Sequence, residues 1–208
     1  MRMARPRRFD ESGLLDVATE MFWSKGFDNT SVEDVSQASG VGNGSIYAAY
    51  GNKRGLFLAA FERYCDRRAR FVRDTALAAP GSARSAVRTL FQAVIDDCAA
   101  QPGRRGCLMI NSIAELSARI PEVAILANRC TGAMEYGVAE RLRPAARDAD
   151  VDESTLAALS ANIVVVAQGL IQLSRLDIPA QRLRDIAEVS CAALPADWAD
   201  RVVEPVSP

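Results

Sequence analysis

The chain has 208 residues, 49% hydrophobic and 25% charged, with a net charge of -1. That length holds one large domain or two small ones sharing a core, and the composition is that of a soluble globular protein and not a disordered one. Histidine is absent and the five cysteines are scattered without CxxC spacing, which removes the commonest general base and metal ligand and argues against a zinc site, a disulfide framework and most hydrolases. No metal and no cofactor is expected.

The N-terminus is basic, with Arg2, Arg5, Arg7 and Arg8 close together. No apolar h-region with a cleavage site follows them, so no secretory signal is read and a cytoplasmic location is expected. Residues 10–25 form the first predicted helix, with Leu14, Leu15, Ala18, Met21 and Phe22 on one apolar stripe. Asp10 suits its N-cap, with Phe9 stapled onto Leu14.

Phe22 to Leu56 is the stretch around which the chain is organised. Thr30 and Glu33 have the spacing of a capping box, so a short helix is expected from Ser31, carrying Val32, Val35 and Ala38 on one face. Gly40 is the residue expected where that helix stops. Gly42-Asn43-Gly44-Ser45 restarts the chain, and Ile46 and Tyr47 open a second short helix. Two short helices about a Gly-containing turn are the sequence form of a helix-turn-helix.

Gly26-Phe27, Thr30-Ser31-Val32, Asp34-Val35, Gly40-Val41-Gly42, Gly44-Ser45-Ile46-Tyr47 and Lys53 to Leu56 together resemble the DNA-binding domain of the TetR/AcrR family of bacterial repressors. The resemblance implies that Val41 and Ile46 are core residues of the motif. It implies contacts to DNA from Thr30, Ser31, Asn43, Gly44, Ser45, Tyr47 and Lys53, with Arg7 and Arg8 as a basic arm. Local positive charge, not a basic whole, is what phosphate binding needs. The chain departs from the family in Ala48-Ala49, followed by Tyr50, where a polar or aromatic pair is usual; a phosphate contact is expected to be missing there.

A long helix is expected from Lys53 to about Ala78, with Leu56, Ala60, Tyr64 and Phe71 on one side and Pro80-Gly81 ending it. Residues 82–100 read as another helix, 101–105 as a Pro-Gly loop and about 106–118 as a two-faced helix. Pro121 suits the first turn of a helix reaching about Arg147. Residues 154–174 carry no charge. That length would cross a membrane, but Ser160, Asn162, Gln168 and Gln172 interrupt it, so a buried bundle helix is preferred and no membrane partner is expected. Leu156, Leu159, Ile163, Val166, Leu170 and Leu173 form a heptad-like seam, while Ala157, Val164, Ala167 and Ile171 form a second apolar face. One face can pack on its own subunit; the other asks for a partner. A last helix is expected over 179–194, and residues 195–208, with three prolines, as a tail.

The fold expected is all-α with about nine helices: a three-helix DNA-binding domain over 1–55 and an effector-binding and dimerisation bundle over 56–208. The resemblance implies a ligand-responsive regulator that binds a palindromic double-stranded operator as a homodimer. Its reading heads would be spaced about one helical turn apart, ~34–36 Å. Leu159, Ile163, Val166, Leu170 and Ile186 are the candidate dimer residues. Phe91, Cys107, Asn111, Met134 and Tyr136 are the candidate walls of a pocket for a small hydrophobic or amphipathic effector. Cys107 follows Arg104-Arg105-Gly106 at a helix start, a setting that lowers a thiol pKa, so an oxidant- or electrophile-sensing repressor is the alternative. A DNA-binding structural protein without an effector, or a small helical enzyme using Cys107 with Glu115 or Glu115 with Tyr136, would be the remaining readings.

Overall fold

A computed structural model describes residues 9–195 and Trp198. Arg7, Arg8 and nearly all of the proline-bearing tail lie outside the described residues. Among the described residues there are nine α-helices and no strand. The chain divides into two compact units at Cys65/Asp66, some way past the expected boundary at 55.

The first unit contains α1 (Glu11–Lys25), α2 (Val32–Ser39), α3 (Asn43–Tyr50) and the start of α4 (Lys53–Ala78). It reaches Cys65 because the opening turns of α4 are its floor. Leu56, Phe57, Ala60, Phe61 and Tyr64 are buried with Leu14, Leu15, Ala18 and Phe22 of α1. Phe22, Phe27, Phe57 and Phe61 form a chain of stacked and edge-on rings. Polar links fix the register: Thr19 Oγ1 donates to the Ala60 carbonyl at 3.3 Å, and Arg63 reaches both Ser12 and Asp16.

The second unit contains the rest of α4, α5 (Ala83–Ala100), α6 (Leu108–Leu116), α7 (Pro121–Asp148), α8 (Glu153–Leu173) and α9 (Ala180–Ala192). Beyond Tyr64 the stripe of α4 continues to Arg68 and the buried Val72, and Phe71 is only half-buried. The loop after α5 holds a short 3-10 turn, Pro102–Arg104. Gly106 is left-handed and Cys107 extended, so α6 starts only at Leu108. Arg141 on α7 is buried, and its Nη2 donates to the carbonyls of Ala79 and Gly81, satisfying the turn between α4 and α5. Arg84 reaches the carbonyls of Leu194 and Pro195 and holds the segment just after α9 beside α5. Helix α8 meets the length and composition of a membrane span. One side of it, with Leu156, Ile163, Val164, Leu170 and Ile171, is buried in the bundle, and the other side is exposed.

Candidate functional site

Helices α2 and α3 with their turn make a helix-turn-helix. The cap of α2 is Ser31: its hydroxyl accepts from the Asp34 amide at 3.0 Å, and the Asp34 carboxylate accepts from the Ser31 amide at 2.8 Å. The capping box is therefore Ser31/Asp34, one residue on from the Thr30/Glu33 pair. Thr30 is buried, and its hydroxyl donates to the carbonyls of Met21 and Gly26 at the end of α1. This is a correction to its expected role at DNA, because a buried hydroxyl already satisfied by two carbonyls has nothing left to offer a phosphate. The hydrogen bond from Ser31 holds the Asp34 carboxyl below its ordinary pKa, helped by the Ser31 amide and by Lys25 and Lys53 against desolvation.

Gly40 ends α2 in the left-handed conformation, and Ser36 Oγ donates to the Val41 carbonyl across the turn at 2.7 Å. Ile46 is the one fully buried side chain of α3. Gly44, Ser45, Tyr47 and Ala48 lie on its exposed side, Tyr47 being 51% exposed. Asn43 is half-buried with an Oδ1 that meets no donor. The hydroxyl of Tyr50 bonds Glu11 at 3.0 Å, so this aromatic braces α3 against α1.

Gly55 sets the angle between α3 and α4. A Cβ there would stand 2.0 Å from the Tyr50 carbonyl oxygen, so only glycine lets the two helices meet this closely. At that corner Lys53 is half-buried; its Nζ donates to the Asp28 carbonyl at 3.2 Å and lies 4.5 Å from the centre of the Phe27 ring. The exposed face of α3, flanked by Ser31 and Lys53, is therefore a compact polar surface on a rigid base. Its form is that of the second helix of a helix-turn-helix, the one whose exposed side a groove would meet.

The second unit encloses a cavity of about 20 Å³. Five helices wall it: Arg68 and Val72 from α4, Leu90 and Val94 from α5, Met109 from α6 with Cys107 at its cap, Met134 from α7, and Val164, Ala167, Gln168 and Ile171 from α8. Cys107 and Met134 of the candidate wall residues are there. Phe91 is buried but off the wall. Asn111 is engaged with the Arg105 carbonyl and the Arg175 guanidinium, and Tyr136 is 61% exposed on the outside of α7. Neither lines the cavity, because their faces of α6 and α7 turn to the loop and to the surface. Arg68 went unrecognised, although its place at i+4 from Tyr64 and i-4 from Val72 continues a buried stripe. Arg104 and Arg105, expected beside Cys107, donate to Asp177 and Gln101 respectively.

The candidate dimer residues separate in the same way. Ile163 is 2% exposed, and Leu170 is likewise core of its own chain; both are corrections, since their seam packs inward. Leu159, Val166 and Ile186 are half-buried. The free face of α8 runs through Ala158, Asn162, Val165 and Gly169, with Val189 on α9 also exposed. No group of three or more potential metal ligands occurs among the described residues.

Residues 14–60 match the family model described as bacterial regulatory proteins, tetR family. A helix-turn-helix transcriptional regulator of Bacillus subtilis, YezE, itself uncharacterized, is 28% identical over 92% of this chain and 100% of its own. The transcriptional repressor ComR of Escherichia coli is 34% identical over 58% of this chain and 57% of its own length. Among solved structures, a cysteine-substituted form of the TetR family regulator CifR in complex with a 26-bp operator duplex is 30% identical, with a TM-score of 0.70 over 92% of this chain and 100% of that one.

Proposed function

This chain belongs to the TetR family of bacterial transcriptional regulators, not to any enzyme class, and on that premise we propose that it is a repressor that binds a palindromic operator as a homodimer in the cytoplasm and lets go when a small molecule enters the cavity of its second unit. The observation that carries this reading is the pairing of features on one helix. The start of α4 is the floor of the helix-turn-helix, and Arg68 and Val72 of the same helix wall the cavity. An effector that occupies the cavity better in the DNA-incompetent conformation lowers operator affinity by its differential affinity for the two states. Repression is supported by ComR, a relative named a repressor, and operator binding by the duplex bound to CifR.

Recognition is assigned to Asn43, Gly44, Ser45 and Tyr47 on α3, with Ser31 and Lys53 at the flanking phosphates. The test is anisotropy of a labelled duplex covering the region upstream of the chain's own coding sequence. Saturable, salt-sensitive binding that Tyr47→Ala weakens is the expected result. Binding that ignores both salt and Tyr47→Ala would overturn the reading.

A second reading rests on the place of Cys107, which is buried and lines the cavity. An electrophilic alkene in the cavity would be taken by the Cys107 sulfur: the C–S bond forms as the C=C π bond breaks, and the neighbouring carbon takes up a proton from solvent in place of the one the thiol gives up. N-ethylmaleimide should then release the operator from the native protein and not from Cys107→Ser. Equal release from both would end that reading.

A further inference from the structure

Resting on the effector-release reading, we propose that the cavity accepts a compact, uncharged, hydrocarbon-like molecule, preferably a ring, and turns away carboxylates and amines of the same shape. Its surface is almost wholly apolar, built from Val72, Leu90, Val94, Val164, Ile171 and the two methionines. Among the described residues of its walls Arg68 is the sole formal charge, and that charge is already matched. Nη1 lies 2.8 Å from Asp97 Oδ2, the guanidinium sits 4.6 Å from the centre of the Phe71 ring, and the side chain is only 14% exposed. A carboxylate entering the cavity would be a second anion facing one cation, and it would exchange its hydration for little more than the neutral Gln168 amide. An ammonium would lose the same hydration and meet the like charge of Arg68. A neutral apolar guest has neither cost.

The size of the cavity adds a second condition. About 20 Å³ is little more than the space one water needs, ~10–15 Å³ on the same measure. Any effector therefore enters by moving the walls, and the side chains best able to yield are Met109 and Met134, unbranched and rotatable about three bonds. Their sulfurs also make favourable contacts with aromatic rings, which is the reason to favour a ring over a chain. Enlargement presses on Arg68 and Val72, so the guest that fits best is also the one that strains α4.

Toluene, benzoate and benzylamine share a shape and differ in charge, and none alkylates a thiol, so Cys107 chemistry does not enter. Binding is measured on the full chain without DNA, by calorimetry and by the shift in melting temperature. Toluene should bind and raise the melting temperature, with both ions at least about tenfold weaker. Either ion binding as well as toluene overturns the proposal, as does a protein that holds its operator and ignores toluene. Met134→Ala leaves more room and should bind toluene more tightly; an unchanged affinity would mean that toluene sits elsewhere and would also overturn it. Ala167→Met should fill the space and weaken toluene binding, and if that variant does not fold, Met134→Ala decides. Loss of operator binding in the untreated protein would remove the regulator reading and leave the toluene result standing on its own.

Discussion

Gly137 on α7 lies against Arg73 on α4 so closely that a Cβ at position 137 would stand 2.7 Å from the Arg73 Cβ and 3.0 Å from its Cα. The second contact is the decisive one, since backbone cannot swing aside as a side-chain tip can. One turn further on, Arg73 pairs with Glu140 at 2.9 Å, but Arg73 is exposed and Glu140 partly so, and the pair is a surface one. The contact therefore depends on the absence of a side chain, not on the charges beside it. Gly137→Val should destabilise the second unit by about 1–3 kcal/mol, the range for overpacked sites. Glu140→Gln should be close to neutral. Urea unfolding of the two variants checks the order, and a Gly137→Val protein as stable as the parent would contradict the packing argument.

The cap of α2 gives a pH-dependent expectation with a fixed sign. The Asp34 carboxyl has a folded pKa below its ordinary value, first because of the hydrogen bond from Ser31. The unfolded chain then takes up a proton at higher pH than the folded one. Stability from this group is full above the ordinary carboxylate pKa and is lost as pH falls through the folded value. The wild-type protein should be more stable than Asp34→Asn at neutral pH, and the gap should close on acidification. The carboxylate is at the surface, so salt should narrow the gap as well. A gap that widens as pH falls would refute the assignment.

The cap also shows what could and could not be read from the sequence. Thr30/Glu33 and Ser31/Asp34 satisfy the same three-residue spacing, so the pattern locates a helix start to within one residue. The carbonyls of Met21 and Gly26, which take the Thr30 hydroxyl, decide between them, and they are a tertiary fact. The helix-turn-helix was legible because its signals are local: a cap, Gly40, Ile46 and the corner at Lys53. The cavity was only partly legible because its wall is gathered from five helices. Arg68 was hidden by its charge, which makes it look like a surface residue until Asp97 is seen beside it. Both faces of α8 are apolar, so periodicity finds the helix and leaves open which face is free.

Tyr47 and Lys53 should fail differently at DNA. Tyr47 is exposed and its removal costs the fold little, so Tyr47→Ala should weaken operator binding with an unchanged melting curve. Lys53 also bonds the Asp28 carbonyl and covers Phe27, so Lys53→Ala should loosen the loop between α1 and α2 in addition. If its ammonium neutralises a phosphate, the slope of log affinity against log salt should fall by roughly one in that variant. Titrations at several salt concentrations, beside melting curves, separate the two effects. A salt slope unchanged by Lys53→Ala would take the lysine away from the backbone of the duplex.

One pair of substitutions tests whether the free face of α8 meets the second copy proposed above. Val165 is 61% exposed in the single chain while Ile163, two residues away, is 2% exposed. If Val165 and its neighbours Ala158, Asn162 and Gly169 meet a second copy, Val165→Arg brings like charges together across the two-fold axis and buries them unpaired. That variant should be a folded monomer with weakened operator binding, since one reading head loses the other. Ile163→Glu places a charge inside its own bundle, where an unpartnered buried ion costs several kcal/mol, and it should unfold or aggregate. Light scattering with circular dichroism distinguishes a folded monomer from a misfolded chain. A well-folded Val165→Arg dimer would move the interface off this face of α8, and Val189→Arg on α9 would then be the variant to examine.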